Sequence, residues 1–149
     1  MHIVYSNTNE QAAAKAFSAQ SIIFDQLYAD NKIVQYKRER VRAHVNKYIH
    51  AGDCILELNS GTGQDAIWLA QQNCLVHATD IANGMLAVLR EKITDESLEG
   101  FVTTELCSFT TLNNLRHKGP YDMIFSNFAG LNCTGKLDEV LASFSPLLK

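Results

Sequence analysis

Four short apolar runs, most of them followed by an amphipathic segment, predict a parallel sheet in the part of the chain after residue 50. The runs cover residues 54–58, 74–79, 101–106 and 121–128. Each has the length of a buried strand, and the segments between them carry apolar residues at helical spacing. Parallel strands need such crossovers, because a tight hairpin joins only antiparallel neighbours. The pattern therefore predicts an α/β fold with helices on both faces of the sheet.

Two helices are predicted before the first strand. Residues 7–28 are rich in Ala, Gln and Ser, with scattered apolar positions. Residues 33–50 form a more regular amphipathic pattern, whose apolar face contains Val34, Val41, Val45 and Ile49. Basic residues occupy another face of this second helix, and we interpret them as exposed to solvent. The alternative is that Arg40 or a neighbour contacts an anionic group of a ligand.

The segment after the first predicted strand has the composition of a ligand-binding turn. Residues 59–63 are Asn-Ser-Gly-Thr-Gly, called the glycine turn below, and a helix follows from about Gln64. Backbone N–H groups at the start of a helix have no partner within that helix, so they can bind a polar group of a ligand.

Two kinds of ligand fit this turn. Residues 61–66 match the dinucleotide-binding pattern, and Asp80 follows at roughly the 20-residue distance expected. Glu57, at the end of the preceding strand, opposes that interpretation, because its carboxylate repels a pyrophosphate and no Lys or Arg lies between Lys47 and Arg90. S-adenosylmethionine has no phosphate and carries a sulfonium and an ammonium. The acidic strand end therefore favours S-adenosylmethionine over NAD.

These residues resemble the first motif of the class I S-adenosylmethionine-dependent methyltransferases, acid-x-G-x-G-x-G, which stands here as residues 57–63. Asn59 occupies the place of the family's first glycine, and asparagine tolerates the left-handed backbone angles of such a turn. The resemblance extends from roughly residue 32 to the C-terminus. It implies a Rossmann-like half-sheet in the order 3-2-1-4, S-adenosylmethionine as cofactor, and methyl transfer to an unidentified acceptor.

The resemblance also implies a cofactor site at the carboxyl ends of the strands. Asp80 closes the second strand, where a carboxylate can accept both ribose hydroxyls, and Ile81 lies against the adenine. Asn83 is the expected cap of the following helix. Ser108 stands where similar enzymes often place an aspartate near the adenine amine, and Phe109 is either an adenine-stacking ring or core. The predicted cofactor-binding set is Glu57, Asn59, Ser60, Gly61, Thr62, Gly63, Asp80, Ile81, Ser108, Phe109 and Asn127.

Three further residues are assigned to the methionyl part of the cofactor, to the structure of the fourth strand and to the substrate. Asn127, at the exit from the fourth strand, is expected to face the methionyl part of the cofactor, whereas Asp122 at the start of that strand is interpreted as structural. Tyr28 is the candidate hydroxyl on the side of the substrate, which we expect to be a small-molecule methyl acceptor. The sequence identifies no general base and no other catalytic residue.

Length, charge and cysteines narrow the class of protein. A chain of 149 residues can form one domain with its own core, and a net charge of −3 argues against a broad nucleic-acid surface. No apolar run approaches the ~18 residues of a membrane span, and residues 1–5 begin no signal-peptide pattern. The four cysteines lie far apart, without a C-x-x-C pair. We expect buried, reduced thiols in a cytoplasmic protein, and neither a metal site nor a disulfide.

The sequence stops at Lys149, where the family continues to a fifth strand. We therefore expect one incomplete domain over residues 1–149, with a helical arm at 1–50 and a cofactor-binding half-sheet at 51–149. The fourth strand then lies at an edge, which predicts self-association, most simply as a two-fold homodimer. Two alternatives stay open: a NAD-dependent oxidoreductase, and a non-catalytic module for cofactor binding or assembly.

Overall fold

A computed structural model describes residues 8–149 of the chain. The predicted start of the first helix at Asn7 and the predicted absence of a signal peptide at residues 1–5 concern positions outside the described part. The helices are α1 (Thr8–Ala29), α2 (Lys32–Val45), α3 (Gln64–Gln71), α4 (Asn83–Asp95) and α5 (Leu137–Ala142); the strands are β1 (Cys54–Leu58), β2 (Leu75–Asp80), β3 (Val102–Leu106) and β4 (Met123–Ser126).

The four strands form one parallel sheet in the order β3-β2-β1-β4, which confirms the predicted fold class and strand order. Leu56 of β1 is paired with His77 of β2 on one side and with Ile124 of β4 on the other. Strand order therefore reverses at β1, and a crevice opens between the carboxyl ends of β1 and β4. Ligands of open α/β sheets bind at such a reversal point.

Successive side chains of β1 enter two separate apolar clusters, because neighbouring residues of a strand point to opposite faces of the sheet. Ile55 packs with Leu69 and Leu86 from α3 and α4, and Leu56 packs in the cluster on the other face. Both β1 residues are fully buried. Truncating such a side chain to alanine typically costs about 2–5 kcal/mol of the free energy of unfolding. Burial on both faces explains why β1 is apolar along most of its length.

The amphipathic second helix is shorter than predicted. α2 begins after Asn31, whose side-chain oxygen accepts hydrogen bonds from the N–H groups of Ile33 and Val34, both at 3.1 Å. It ends at Val45 and not near His50, and a turn connects it to β1. Val45 and Ile49 are buried in the core cluster as the apolar pattern predicts.

α1 lies across α4. The backbone N–H of Gly84 in α4 donates to the Ser18 hydroxyl at 3.3 Å. A Cβ atom at Gly84 would lie 2.8 Å from the Ser18 carbonyl oxygen, so the two helices approach this closely only because residue 84 is glycine. The contact positions the carboxyl-terminal half of α1 above the glycine turn. No helix of residues 8–149 has both the length and the hydropathy needed to cross a membrane.

The beginning of the β4 edge is paired by the last residues of the chain. The N–H of Tyr121 donates to the Leu147 carbonyl at 2.8 Å, and the N–H of Lys149 donates to the Tyr121 carbonyl at 3.0 Å. Asp122 has the structural role predicted for it, since one carboxylate oxygen accepts from the Cys54 N–H and from the Lys149 ammonium, each at 2.8 Å. Along Met123–Ser126 itself, no strand of the described residues pairs with the outer edge.

Candidate functional site

A cavity of about 750 Å³ lies at the carboxyl ends of the strands, beneath α1 and α2. All members of the predicted cofactor-binding set line this cavity except Gly63 and Ser108, and Tyr28 also lines it. Gly63 instead permits helix packing, because a Cβ there would lie 2.1 Å from a methyl carbon of Leu89. The structure thus brings residues from β1, β2 and β4 to one cavity.

The glycine turn has the left-handed backbone that its sequence predicts. The φ angles of Asn59, Gly61 and Gly63 are 45°, 56° and 81°. The Asn59 amide holds this conformation, because its Nδ2 donates to the Asn127 carbonyl at 3.0 Å and its Oδ1 accepts from the Ser126 hydroxyl at 2.7 Å. A glycine at position 59 cannot make these two bonds. Asn59 therefore ties the turn after β1 to the end of β4.

The backbone N–H groups of the turn are largely used inside the protein. Ser60 donates to the Thr79 carbonyl at 2.9 Å, and Gly63 donates to the Ser60 carbonyl at 3.0 Å. The N–H of Gly61 donates to Asp80 Oδ2 at 2.8 Å. The amides of Ser60, Gly61 and Gly63, which the sequence predicted to bind a polar group of a ligand, are thus already used, and a ligand carboxylate needs a different donor.

Asp80 is buried at the end of β2 and accepts two backbone hydrogen bonds. Besides Gly61, the N–H of Ala82 donates to its Oδ1 at 2.8 Å. Burial raises the pKa of Asp80, and the N–H groups of Ala82, Gly61 and Ile81 oppose that rise. Asn83 is not the cap of α4, because Ala82 occupies the cap position and makes no side-chain bond. The Asp80 carboxylate holds the chain just before α4 instead.

Glu57 is the most unusual titratable group of the cavity. Only 3% of it is exposed, and neither its Oε2 nor the Ser60 hydroxyl has a hydrogen-bond partner within residues 8–149. Burial raises the pKa of Glu57 well above its ordinary value, with a further contribution from the charges of Asp65 and Asp80. A buried carboxylate oxygen without a partner is costly, so this atom marks a place for a hydrogen-bond donor or a cation.

Two arginines of α2 lie beside Asp65, which lines the cavity. Arg42 Nε donates to Asp65 Oδ1 at 2.9 Å, and Arg38 Nε lies 3.7 Å from the same oxygen. Asn127 Nδ2 donates to the other Asp65 oxygen at 2.9 Å. Arg38 also lines the cavity, lies over the ring of Phe128, and has a buried Nε without a hydrogen-bond partner among the described residues.

Arg40, named in the sequence interpretation, lines a separate shallow pocket. In α2 and α3, sequence reasoning missed Arg38, Arg42 and Asp65. Arg38 and Arg42 are four residues apart, which places them on one helical face. This four-residue spacing was the feature of the sequence from which the pair of arginines could have been predicted.

α1 contributes two carboxylates to the cavity, and sequence reasoning predicted neither. Asp25 accepts from the Thr62 hydroxyl at 2.6 Å and from the Lys92 ammonium at 2.5 Å. Burial by itself raises the pKa of Asp25, but hydrogen bonds from Lys92, Thr62 and Gln64 outweigh it and the pKa is lowered. The second carboxylate is Glu10, which accepts from the Ser108 hydroxyl at 3.0 Å.

Aromatic and aliphatic side chains form the remaining walls. Phe109 is buried in an apolar cluster and also lines the cavity, so the two interpretations of this ring are compatible. Ile81 and Met85 line the cavity as well. Tyr28 is 42% exposed and its ring lies 5.0 Å from that of Phe24, measured between centroids.

Residues 55–149 match the protein family described as methyltransferase domain. No curated protein sequence matches the chain. Several solved structures are similar to the whole of it. The magnesium protoporphyrin IX methyltransferase of Synechocystis PCC 6803, solved with bound S-adenosylmethionine, has a TM-score of 0.75 and 18% identity over 98% of this chain and 74% of its own.

Two further structures show the range of proteins with this fold. A protein of Methanococcus maripaludis, provisionally named as an S-adenosyl-L-methionine-dependent methyltransferase, has a TM-score of 0.69 and 17% identity over 100% of this chain and 64% of its own. The [4+2]-cyclase SpnF has a TM-score of 0.79 and 14% identity over 99% of this chain and 59% of its own. The chain thus spans less than two thirds of the length of these two proteins, and at such identities the similarity establishes the fold.

Proposed function

Since this chain belongs to the methyltransferase domain family, we propose that it binds S-adenosylmethionine in the cavity and takes part in methyl transfer to a small-molecule acceptor. The observation that carries this proposal is the unpartnered oxygen of Glu57. This oxygen is buried at the reversal point of the sheet, on the cavity wall, where it suits a cationic ligand. The ammonium of the cofactor supplies that cation, and a pyrophosphate does not.

The other polar groups of the cavity fit the rest of the cofactor. The Nε of Arg38 is buried, lies 3.7 Å from Asp65 Oδ1 and has no hydrogen-bond partner among the described residues. The Arg38 guanidinium supplies the donor for the methionyl carboxylate that the glycine turn does not offer. Asp80 is the acceptor for the ribose hydroxyls, because ribose hydroxyls are donors and a carboxylate can accept more than the two backbone bonds that Asp80 makes. Asn127 also lines the cavity, and its amide donates to Asp65.

The aromatic side of the cavity favours an acceptor with an apolar body. Phe17, Phe24, Tyr28 and Phe128 line the cavity together. The cofactor supplies a methyl group activated by its sulfonium; a bond forms from the acceptor's nucleophile to the methyl carbon as the carbon–sulfur bond breaks. These side chains then hold the acceptor in line and exclude water. Tyr28 is the hydroxyl that we place beside the acceptor.

Three finer proposals concern the chain as a whole. Residues 1–50 and 51–149 act as one functional unit, since carboxylates of α1 reach the cavity of the sheet. The expected burial of the cysteines holds for Cys74 and Cys107, whereas Cys54 is half-buried and Cys133 is exposed. All four are free, which supports the proposal of a reducing, cytoplasmic location. The unpaired outer edge of Met123–Ser126 supports self-association through β4.

The cofactor assignment is tested by calorimetric titration with S-adenosylhomocysteine and, separately, with NAD. We expect S-adenosylhomocysteine to bind more tightly, and Glu57→Gln to weaken it while Glu99→Gln, an exposed matched control, does not. Arg38→Met should weaken binding and Arg40→Met should leave it unchanged. Tighter binding of NAD, or full affinity in both Glu57→Gln and Arg38→Met, contradicts the proposal.

A further inference from the structure

The order of the strands assigns each part of the proposed cofactor to a place in the cavity. Asn127 directly follows β4, whereas Glu57 and Asp80 belong to the carboxyl ends of β1 and β2. These three strands are consecutive neighbours in the sheet. With the methionyl group beside Glu57 and the ribose beside Asp80, the base lies beyond β2, at the end of β3. Ile81, which follows β2, and Phe109, which comes shortly after β3, line the cavity and supply apolar walls there, as a planar base requires.

The acidic group at the β3 end comes from α1. Ser108 is fully buried directly after β3, and its hydroxyl donates to Glu10 Oε2 at 3.0 Å. The Thr110 hydroxyl donates to Glu10 Oε1 at 2.9 Å, so two hydroxyls from one segment hold the carboxylate. Glu10 is 2% exposed and lines the cavity. The first turn of α1 therefore delivers a fixed, buried carboxylate to the place where the base lies.

Ser108 is not itself an acceptor for the base. Its Oγ accepts from the Thr110 N–H at 3.1 Å in addition to donating to Glu10, and it does not line the cavity. Asp80 is committed to the ribose side by its bonds to Gly61 and Ala82. Of the carboxylates that line the cavity, Glu10 is thus the one positioned at the β3 end.

We propose that Glu10 recognises the adenine of the bound cofactor by accepting a hydrogen bond from its exocyclic amine, so that α1 completes the base pocket. This inference rests on the proposed function. The Glu10 carboxylate accepts hydrogen bonds, and the exocyclic amine of adenine donates one to it. Hypoxanthine has an oxo group at the same ring position, which is itself an acceptor and donates nothing to Glu10. The site therefore selects the 6-amino base, and cofactor binding also holds α1 in place.

The test is calorimetric titration of the full chain with S-adenosylhomocysteine and with S-inosylhomocysteine, which differ in the amino or oxo group at ring position 6 and in the proton on the neighbouring N1. We expect the wild-type protein to prefer the adenine compound by about 10- to 100-fold, the factor that a lost charge-assisted hydrogen bond typically causes. In Glu10→Gln the preference should fall at least about fivefold, because the amide can donate to the oxo group. Ser108→Ala should lower it by a smaller factor through a less firmly held Glu10.

Asp25→Asn is the matched control. Asp25 also anchors α1, through Thr62 and Lys92, but it contacts the turn after β1 and not the β3 end. This variant should weaken both compounds by the same factor and keep the wild-type preference. Equal weakening of both compounds by Glu10→Gln overturns the inference and makes Glu10 an anchor of α1 only. Absence of S-adenosylhomocysteine binding to the wild-type protein overturns the proposed function itself.

Discussion

Asp80 Oδ2 accepts a hydrogen bond from the backbone N–H of Gly61 at 2.8 Å, so the carboxylate at the end of β2 braces the turn that follows β1. Its other oxygen holds the N–H of Ala82. One side chain thus fixes the conformation of the glycine turn and faces the cavity. A residue predicted for ligand contact alone is also part of the scaffold of the site.

Asp80→Ala should weaken binding of S-adenosylhomocysteine by about 1.5–3 kcal/mol, because charge-assisted bonds to the ribose and the brace on Gly61 are lost together. Titration calorimetry measures the change, and thermal unfolding of the unliganded variant should show a lower midpoint. Asp138→Ala, on an exposed residue of α5, is the control. An unchanged affinity in Asp80→Ala would contradict the proposal that Asp80 binds the ribose hydroxyls.

Substitutions at Asn59 should separate backbone conformation from side-chain bonding. Asn59→Gly keeps the left-handed turn and loses two hydrogen bonds, at a cost of about 1–2 kcal/mol of the free energy of unfolding. Asn59→Val loses the same bonds and adds strain of about 1–3 kcal/mol, because a β-branched residue disfavours positive φ. Denaturant unfolding measures both variants. Equal stability of the two would show that the turn is not held at its left-handed angle.

Local patterns made much of the fold predictable. The four strands follow from short apolar runs and the left-handed turn at Asn59 from one motif, whereas the strand order was implied by the resemblance to the methyltransferase family; all are confirmed. The ends of the helices were less well predicted. The apolar spacing continues to Ile49, but α2 ends at Val45. The spacing does not mark the helix end, because a turn can bury Ile49 as well as a helix can.

Contacts from α1 and α2 were not predictable in the same way. Glu10 and Ser108 are 98 residues apart, and Arg42 and Asp65 are 23 apart. Such pairs depend on how a helix packs across the sheet, which neither composition nor periodicity specifies. The sequence likewise predicted that the backbone N–H groups of the glycine turn bind a ligand. In the structure several of these groups donate to Asp80 and to nearby carbonyls instead. The role proposed for Arg38 depends on that geometry, since its spacing from Arg42 indicates only that the two side chains share a helical face.

Cofactor binding should release a proton from Glu57. Its pKa is raised well above the ordinary value by burial first, then by Asp65 and Asp80, against the opposing charges of Arg42 and Arg38. A cationic ammonium beside the carboxyl favours the ionised form, so the affinity for S-adenosylhomocysteine should increase as pH rises towards the pKa of Glu57 in the free protein. Calorimetry in buffers with different ionisation enthalpies measures the number of protons released.

The same raised pKa has an effect of opposite direction on the unliganded protein. The contribution of Glu57 to the free energy of unfolding is greatest below its unfolded pKa and is lost as pH rises to its folded pKa. Glu57→Gln should remove both the proton release and this part of the pH dependence of stability. Proton uptake on binding, or release that persists in Glu57→Gln, would assign the effect to another group.

The outer edge of β4 should mediate self-association. Asp122 donates its N–H to the Cys54 carbonyl of β1, and alternate residues of a strand point to opposite sides, so the N–H and C=O groups of Met123 and Phe125 point outwards. Tyr121, at the start of this edge, is already paired with Leu147 and Lys149. A second chain can therefore pair only along Met123–Ser126, and a short edge of this kind predicts weak association, increasing with protein concentration.

Light scattering over a concentration series measures this association. Ile124→Lys should weaken it, because a lysine on the strand discourages edge pairing, and Ile124→Val, which keeps an apolar β-branched side chain, should not. Since Ile124 packs against the cluster that contains Leu56, thermal unfolding must show that the lysine variant is folded at the temperature used. If the wild type and both variants are all monomeric at high concentration, the N–H and C=O groups of Met123 and Phe125 are solvated. Pairing with a second chain then does not offset the free-energy cost of removing water from these four groups.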